Sequence, residues 1–256
     1  MLQAHSLLWH YLWAAPNLLL LLLAFILWKR GTFRQFPAFF AFATLGAVGE
    51  LGVYAAVVSP AVSAAMYWRV DWGNLILEVV LKFALIGEIF SLLLAAYTCL
   101  AQLGKRLICA IGIILIFTAV VLAAYAPAKA YFPIVYGDNL LKQATFFVET
   151  GVLLSIFLFS SYFHLHWPRQ LFGIALGVSI SSCVHLATWG SINNAGFTLH
   201  TRILLSFLNM ATYHFCVLVW CYYLLVPQEL PVQPAVPLPE NNLAVWNREL
   251  ERLLQQ

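Results

Sequence analysis

Charged residues are scarce in this sequence: Asp, Glu, Lys and Arg together make up 9% of its 256 residues, whereas 63% are hydrophobic. A soluble domain carries roughly 25% charged residues, because its surface must face water. The deficit excludes an ordinary soluble domain and predicts that most of the surface contacts a lipid bilayer. The formal net charge of +3 is too small to indicate a nucleic-acid partner.

Residues that several membrane cofactors require are also missing. The last apolar run, 203–226, contains no lysine that could form a Schiff base with retinal. His164 and His166 are expected at the membrane face opposite to His200, so the three cannot share a metal ion. There is no phosphate-binding glycine loop and no Ser–His–Asp arrangement. The sequence therefore predicts no cofactor, no metal site and no catalytic residue, and an intramembrane enzyme is the least favoured function.

Long hydrophobic runs are the dominant positive feature. A helix needs ~20 apolar residues, each rising ~1.5 Å, to cross a bilayer. Seven runs are long enough, at 9–28, 36–58, 74–100, 105–126, 144–164, 171–190 and 203–226. Because backbone polar groups in lipid must be satisfied within the segment, and the runs lack barrel-like alternation, they are predicted to be helices. The predicted fold is all-α: a polytopic membrane protein with a seven-transmembrane-helix bundle over residues 1–226.

The composition changes after the last run. Residues 227–241 include five prolines and predict an extended spacer. Residues 242–256 return to helical spacing and predict an amphipathic cytoplasmic helix. Two interpretations of residues 243–254 remain open: a surface helix that contacts the membrane or a partner chain, or a helix folded back over the bundle. The sequence also allows a homo-oligomer.

The distribution of basic residues predicts the orientation. The loops on one side would hold eight Lys and Arg residues, and those on the other side four. Basic residues favour the cytoplasmic side, so the N-terminus is predicted outside the cell and the C-terminus in the cytoplasm. The richer side has Lys29, Arg30, Arg34, Lys105, Arg106, Arg169, Arg248 and Arg252; the poorer side has Arg69, Lys129, Lys142 and Arg202.

A short regularity hints at an internal repeat. An Arg-Gln pair begins the second run at Arg34 and the sixth at Arg169, and Glu50 and His185 each follow sixteen residues after that arginine. The pattern predicts a 3+1+3 pseudo-repeat, in which the fourth helix connects two similar halves, as in parallel-repeat transporters.

Polar residues inside the apolar runs form the candidate site. Retention of ionisable groups in a membrane span usually indicates pairing, hydration or function. Counted at ~1.5 Å per residue, several lie ~6–12 Å from the outer helix ends. They are therefore predicted to line one outward-facing ligand pocket, made of Glu50, Glu78, Lys82, Glu149, His185 and Asn209.

Helical spacing suggests how these charges pair. Glu50 and Lys82 have opposite charge and similar estimated depth on neighbouring helices, which predicts an ion pair between them, direct or through one water. Glu78, Lys82 and Glu88 fall within about a third of the circumference of the third helix, so these charges are expected to face one another inside the bundle.

Glycines indicate where helices approach most closely. Gly46, Gly49 and Gly52 lie on the second predicted helix, and Gly173 and Gly177 on the sixth. Small residues at such spacing permit close packing, so these two helices are predicted to make the closest contact.

Four segments resemble an uncharacterised family of seven-pass bacterial inner-membrane proteins. They are "KRGTFRQFPAFF" (29–40), "RQLFGIALG" (169–177), "YYLLVPQEL" (222–230) and "LAVWNRELERLL" (243–254). The bundle is also similar in outline to the seven-pass sensor regions of bacterial signalling proteins. The resemblance implies the membrane fold but no specific activity and no site residues.

Two function classes follow from the outward-facing polar residues. The first is a sensor or receptor-like module that binds a small ligand, ion or proton and passes its output to a partner. The alternative is a small-solute or proton-coupled transporter, which the pseudo-repeat and the charged spans favour. Because the inner half is poor in polar residues, the sensor is preferred.

Overall fold

The computed structural model describes residues 6–95, 133–192 and 198–226, together with seven isolated positions between 106 and 117. Within these residues the protein is all-helical and contains no strand. A 3-10 turn, Thr32–Arg34, follows the first of six long described helices. These are α1 (Leu7–Lys29), α2 (Pro37–Val58), α3 (Ala64–Leu94), α4 (Pro133–Tyr162), α5 (Arg169–Ile192) and α6 (Leu199–Leu225).

The helices have the length and composition of membrane spans. Five of the six described helices are long and apolar enough to cross a membrane, and the exception is α3, which carries Glu78, Lys82 and Glu88. Large apolar side chains such as Leu154 and Leu158 are more than half exposed. A soluble surface would not present so many of them, so the predicted contact with a lipid bilayer is consistent with the structure.

Most helix bounds agree with the hydrophobic runs, but α3 and α4 begin about ten residues earlier than predicted. The side chain of Ser63 accepts a hydrogen bond from the Met66 amide at 3.3 Å and caps the start of α3. Pro133 occupies the first turn of α4, where its missing N–H costs no hydrogen bond. Much of the predicted loops 59–73 and 127–143 is therefore helix, a correction that brings further charged residues onto the bundle.

Contacts between helix ends define the direction of each helix. Asp71, near the start of α3, is 4.0 Å from Lys142, near the start of α4, so these two helices run in the same direction. We call the end at which α1, α3 and α4 begin the N-terminal end of the bundle. At the opposite end, the Arg30 guanidinium donates a hydrogen bond to the Leu225 carbonyl at 3.2 Å.

Some predicted segments lie outside the described residues. Leu94 and Pro133 are at opposite ends of the bundle, and the predicted fourth span, 105–126, lies mostly in the undescribed stretch between them. The seven-helix count and the 3+1+3 pseudo-repeat therefore stay predictions. The compact unit that contains the bundle ends at Leu225, and the predicted spacer 227–241 and helix 242–256 are also outside the described residues.

Helix α2 has an unusual start. The amides of Ala38 and Phe39 donate hydrogen bonds to the two carboxylate oxygens of Glu88 at 2.8 and 2.9 Å. A carboxylate is favourable there because helix N-termini carry unpaired N–H groups and a partial positive charge. Glu88 therefore caps α2 and does not join the other charges, contrary to the prediction from its helical spacing.

A π-helical segment, Phe42–Gly46, interrupts α2. A π-turn contains one extra residue, and such segments occur frequently at functional sites. One extra residue rotates the following face by ~100°. The insertion lies between the capped start of α2 and Glu50, so it sets the direction in which Glu50 points.

The closest approach involves different helices from those predicted. A Cβ atom at Gly173 would lie 2.2 Å from the Cβ of Tyr223, and one at Gly177 would lie 2.3 Å from Trp220 Nε1. These glycines thus allow α6 to pack closely against α5, its neighbour along the chain. Gly49 instead faces Asn74 of α3. The prediction that the second and sixth predicted helices, which are α2 and α5, make the closest contact is therefore wrong.

We expect Gly173→Ala to lower the thermal unfolding temperature by about 2–10 °C, because overpacking costs ~1–3 kcal/mol when the backbone must shift. The matched control is Gly52→Ala, where a Cβ would meet no atom within 4 Å. Alanine there should leave the temperature unchanged or raise it, since it is the better helix former. Tryptophan fluorescence of protein heated in detergent measures both changes. Equal unfolding temperatures would contradict the packing described for α5 and α6.

Candidate functional site

A cavity of about 270 Å³ lies inside the bundle, and all six described helices contribute to its wall. It extends from residues near the N-terminal end, such as Trp9 and Trp189, to the middle of the helices. Every residue of the predicted pocket lines it: Glu50, Glu78, Lys82, Glu149, His185 and Asn209. The structure thus brings all six together, and their role in ligand binding stays a prediction.

Lys82 is the centre of the charged wall. Its ammonium group is 2.8 Å from Glu78 Oε1, one turn earlier on α3, and 3.7 Å from Glu149 Oε2 on α4. It also lies 4.2 Å from the centroid of the Phe146 ring, within the range of a cation–π interaction. These contacts hold a charged side chain in place although only a tenth of its surface is exposed.

Glu149 is the most deeply buried charged residue in the described part of the chain, with 1% of its surface exposed. Neither of its carboxylate oxygens has a hydrogen-bond partner among the described residues. Ser182 lies beside it, but the Ser182 hydroxyl donates to the Val178 carbonyl at 2.8 Å. The negative charge of this carboxylate is therefore compensated by the Lys82 ammonium group, at the long distance of 3.7 Å.

Glu50 is held by neutral donors. Its Oε1 accepts a hydrogen bond from the Asn74 side chain at 2.8 Å, and its Oε2 accepts one from the Trp13 indole at 3.3 Å. No Lys or Arg of the described residues lies within ion-pair distance of it. The predicted direct pair between Glu50 and Lys82 is therefore wrong, because Lys82 has Glu78 and Glu149 as closer partners, whereas a contact through one water stays a prediction.

Close packing positions Asn74 for this contact. A Cβ atom at Gly49 would lie 2.0 Å from Asn74 Oδ1, so only glycine leaves room for the amide. Asn74 is buried, and its Oδ1 has no hydrogen-bond partner among the described residues. The absence of a side chain at Gly49 thus allows Asn74 to lie between α2 and α3, where it contacts Glu50.

His185 is oriented by its own helix and by one ring. Its Nδ1 is 2.7 Å from the Ser181 carbonyl, to which it donates a hydrogen bond. Its ring centroid is 4.8 Å from that of Phe146, with the planes tilted by 33°. The Nδ1–H contact leaves Nε2 as the acceptor nitrogen of a neutral imidazole.

Two amide side chains connect the remaining helices at the cavity. Asn209 on α6 accepts a hydrogen bond from the Thr188 hydroxyl on α5 at 2.5 Å. Asn17 on α1, which is 1% exposed, accepts one from the Tyr213 hydroxyl on α6 at 3.2 Å. Sequence reasoning missed Asn17 and Tyr213 in this role, although an amide within a leucine-rich run was the available signal.

A second charged cluster lies near the N-terminal end. Lys142 Nζ is 2.8 Å from Asp138, one turn away on α4, and 4.0 Å from Asp71 on α3. It is also 5.5 Å from the centroid of the Trp189 ring on α5. Asp71, Asp138 and Lys142 were missed because they were predicted to lie in loops. The longer α3 and α4 carry all three, and Lys142 lines the cavity.

Aromatic and aliphatic side chains form the other end of the cavity. Trp220, with Phe42 and Leu85, lines its deepest part. The Trp220 ring makes edge contacts with Phe39 and Phe42 at centroid distances of 5.6 and 5.8 Å, and its Nε1 donates to the Ile174 carbonyl. Beyond this layer lies a core of buried apolar side chains that includes Phe39 and Ile89.

The described residues contain no group of three or more His, Cys, Asp or Glu side chains arranged to hold a metal ion. Comparison with family models, curated proteins and solved structures gave no match. The family resemblance noted from the sequence therefore stays a prediction, and the function has to be argued from the cavity.

We expect Lys82→Met to destabilise the protein strongly, by ~3–5 kcal/mol, because it leaves buried carboxylates without a cation. Adding Glu149→Gln should recover part of that loss, whereas adding Glu50→Gln should be close to additive. The free energy of unfolding of the single and double variants in detergent measures the two couplings. Recovery through Glu50→Gln alone would restore the sequence-based pairing and contradict the contacts described here.

Proposed function

We propose that this chain is a sensor or receptor-like module of a bacterial inner membrane, with a cavity that receives a small ligand from outside the cell. The observation that carries the proposal is the asymmetry of the bundle. Charged and amide side chains surround a cavity near the N-terminal end, whereas aromatic and aliphatic residues pack the region beyond Trp220.

The proposed topology has seven spans, with the N-terminus outside and the C-terminus in the cytoplasm. Leu94 and Pro133 lie at opposite ends of the bundle, and in this proposal the fourth span at 105–126 connects them. The basic residues Lys29, Arg30 and Arg169 belong to the end opposite the cavity opening, which favours a cytoplasmic location for that end.

Helix α2 offers a route from the cavity to the cytoplasmic end. Glu50 contacts the cavity, and the start of the same helix is held by the Glu88 carboxylate. The π-helical segment between them is a place where register can change. In this proposal a ligand at Glu50 alters α2, and the signal reaches a partner that binds residues 243–254.

A transporter is the second candidate. The long Lys82–Glu149 contact favours it, because a buried pair with unsatisfied oxygens can exchange partners during a transport cycle. Alternating access also requires a path to the cytoplasmic face. The apolar packing around Trp220 and Ile89 provides no polar route within the described residues.

Cysteine accessibility distinguishes the two candidates. Ser206 lines the cavity, whereas Leu154 is exposed on the outside of the bundle without lining it. Ser206→Cys should react with a membrane-impermeant thiol reagent added to spheroplasts at least ~10-fold faster than Leu154→Cys or the parent chain, because thiols in lipid are protonated and shielded. In inside-out vesicles the reaction should be absent.

Each other outcome has a definite meaning. Reaction of Ser206→Cys from both sides would identify a transporter and overturn the sensor proposal. Reaction from the cytoplasmic side alone would overturn the orientation, and no reaction from either side would show that the cavity does not receive solutes.

A further inference from the structure

Negative charge is in excess around the cavity. Three carboxylates and two ammonium groups line it, and the two aspartates that hold Lys142 add further negative charge. With histidine counted as neutral, five carboxylates stand against two ammonium groups. Unbalanced charge is costly in a low-dielectric bundle, so the cavity favours the entry of a positive charge.

Two of the carboxylates still have acceptor capacity. Glu50 accepts only from an amide and an indole, although a carboxylate has about four acceptor positions. Glu149 is 1% exposed, lines the cavity and has no hydrogen-bond partner among the described residues. A deeply buried acceptor directed at a cavity is an independent indication that a donor or a cation occupies it.

The rings of the wall already face cations. The Lys82 ammonium lies over Phe146, and Lys142 lies near Trp189. Around Glu50 the wall presents the indoles of Trp9 and Trp13. Aromatic rings combined with a carboxylate are the chemistry by which proteins recognise alkylammonium groups.

The size of the cavity excludes a bare ion as its full occupant. At ~30 Å³ per water molecule, 270 Å³ corresponds to about nine waters. The described residues also provide no cluster of metal ligands. A ligand that fills this space is an organic molecule of roughly ten non-hydrogen atoms, by the same volume.

We propose that the ligand is a small organic cation, a primary amine or a quaternary ammonium compound, whose charged group contacts Glu50, Trp9 and Trp13. This inference rests on the function proposed above and narrows its ligand to one chemical class. Lys82 is excluded as a direct contact of the cation because it is itself positive. Its partners Glu78 and Glu149 instead make the remainder of the wall negative.

The test uses the full chain with Ser206→Cys and measures how fast an uncharged thiol reagent modifies it. The protecting probes are choline, tetramethylammonium, butylammonium and 3,3-dimethylbutan-1-ol, the uncharged isostere of choline. At ~10 mM, at least one cation should slow modification about five-fold or more, by simple occupancy. The isostere should change the rate less than about two-fold, because it lacks the charge that Glu50 attracts.

Variants connect the effect to Glu50. Glu50→Gln should abolish protection by the cation, whereas Gly52→Ala, which lies on the same helix outside the cavity wall and has open space for its Cβ atom, should retain it. The choline-to-isostere comparison needs no change at Glu50, so it remains informative if Glu50→Gln folds poorly.

Failure of this inference is distinguishable from failure of the proposed function. Rapid modification with equal protection by choline and its isostere, or with no protection by any probe, would overturn the proposal of a cationic ligand but not that of an accessible cavity. Absence of modification would overturn both. Protection by the cation that survives Glu50→Gln would overturn the assignment of the charged group to Glu50.

Discussion

The contacts of Lys82 are the constraint on which the cavity depends. A lysine this deep in an apolar bundle is stable only when carboxylates and polarisable rings replace its hydration. Glu78 supplies one partner from the same helix, and Glu149 supplies another from α4. Because these partners lie on two helices, the ion contacts also fix α3 against α4, and Phe146 completes the position.

Because Lys82 already has two carboxylate partners, Glu50 does not belong to the ion cluster. Glu50 instead depends on Trp13 and Asn74, and Asn74 depends on the space left by Gly49. Neutral donors position a carboxylate without cancelling its charge. The structure therefore contains a buried ion cluster on α3 and α4, in which carboxylates outnumber ammonium groups, and, across the cavity on α2, a carboxylate held by neutral donors.

Simple physical rules predicted much of this arrangement. Helical rise and the cost of charge in lipid were enough to select the six polar residues that line the cavity. They were not enough to predict partners. The π-helical segment rotates the face that carries Glu50, and nothing in a hydropathy pattern reveals such an insertion. Glu88 has the right spacing to join Lys82, yet the unpaired amides at the start of α2 hold it instead.

Helix ends were the other point at which sequence reasoning failed. Hydropathy ends a span at the first charged residues, whereas α3 and α4 extend past them, and Lys142 contacts Asp138 on α4 and Asp71 on α3. The packing partners of the helices were predicted wrongly for a related reason. A glycine indicates that another helix can pack closely, but it does not indicate which helix. The space beside Gly177 is occupied by Trp220 of the next helix along the chain.

The most direct test of this account is an experimental structure of the full chain in lipid nanodiscs, at a resolution that shows side chains. The account predicts the Lys82 ammonium between Glu78 and Glu149, Glu50 bound to Trp13 and Asn74, and a cavity continuous with solvent at the N-terminal end. Lys82 paired with Glu50, or a cavity that opens past Trp220 to the other end, would contradict it.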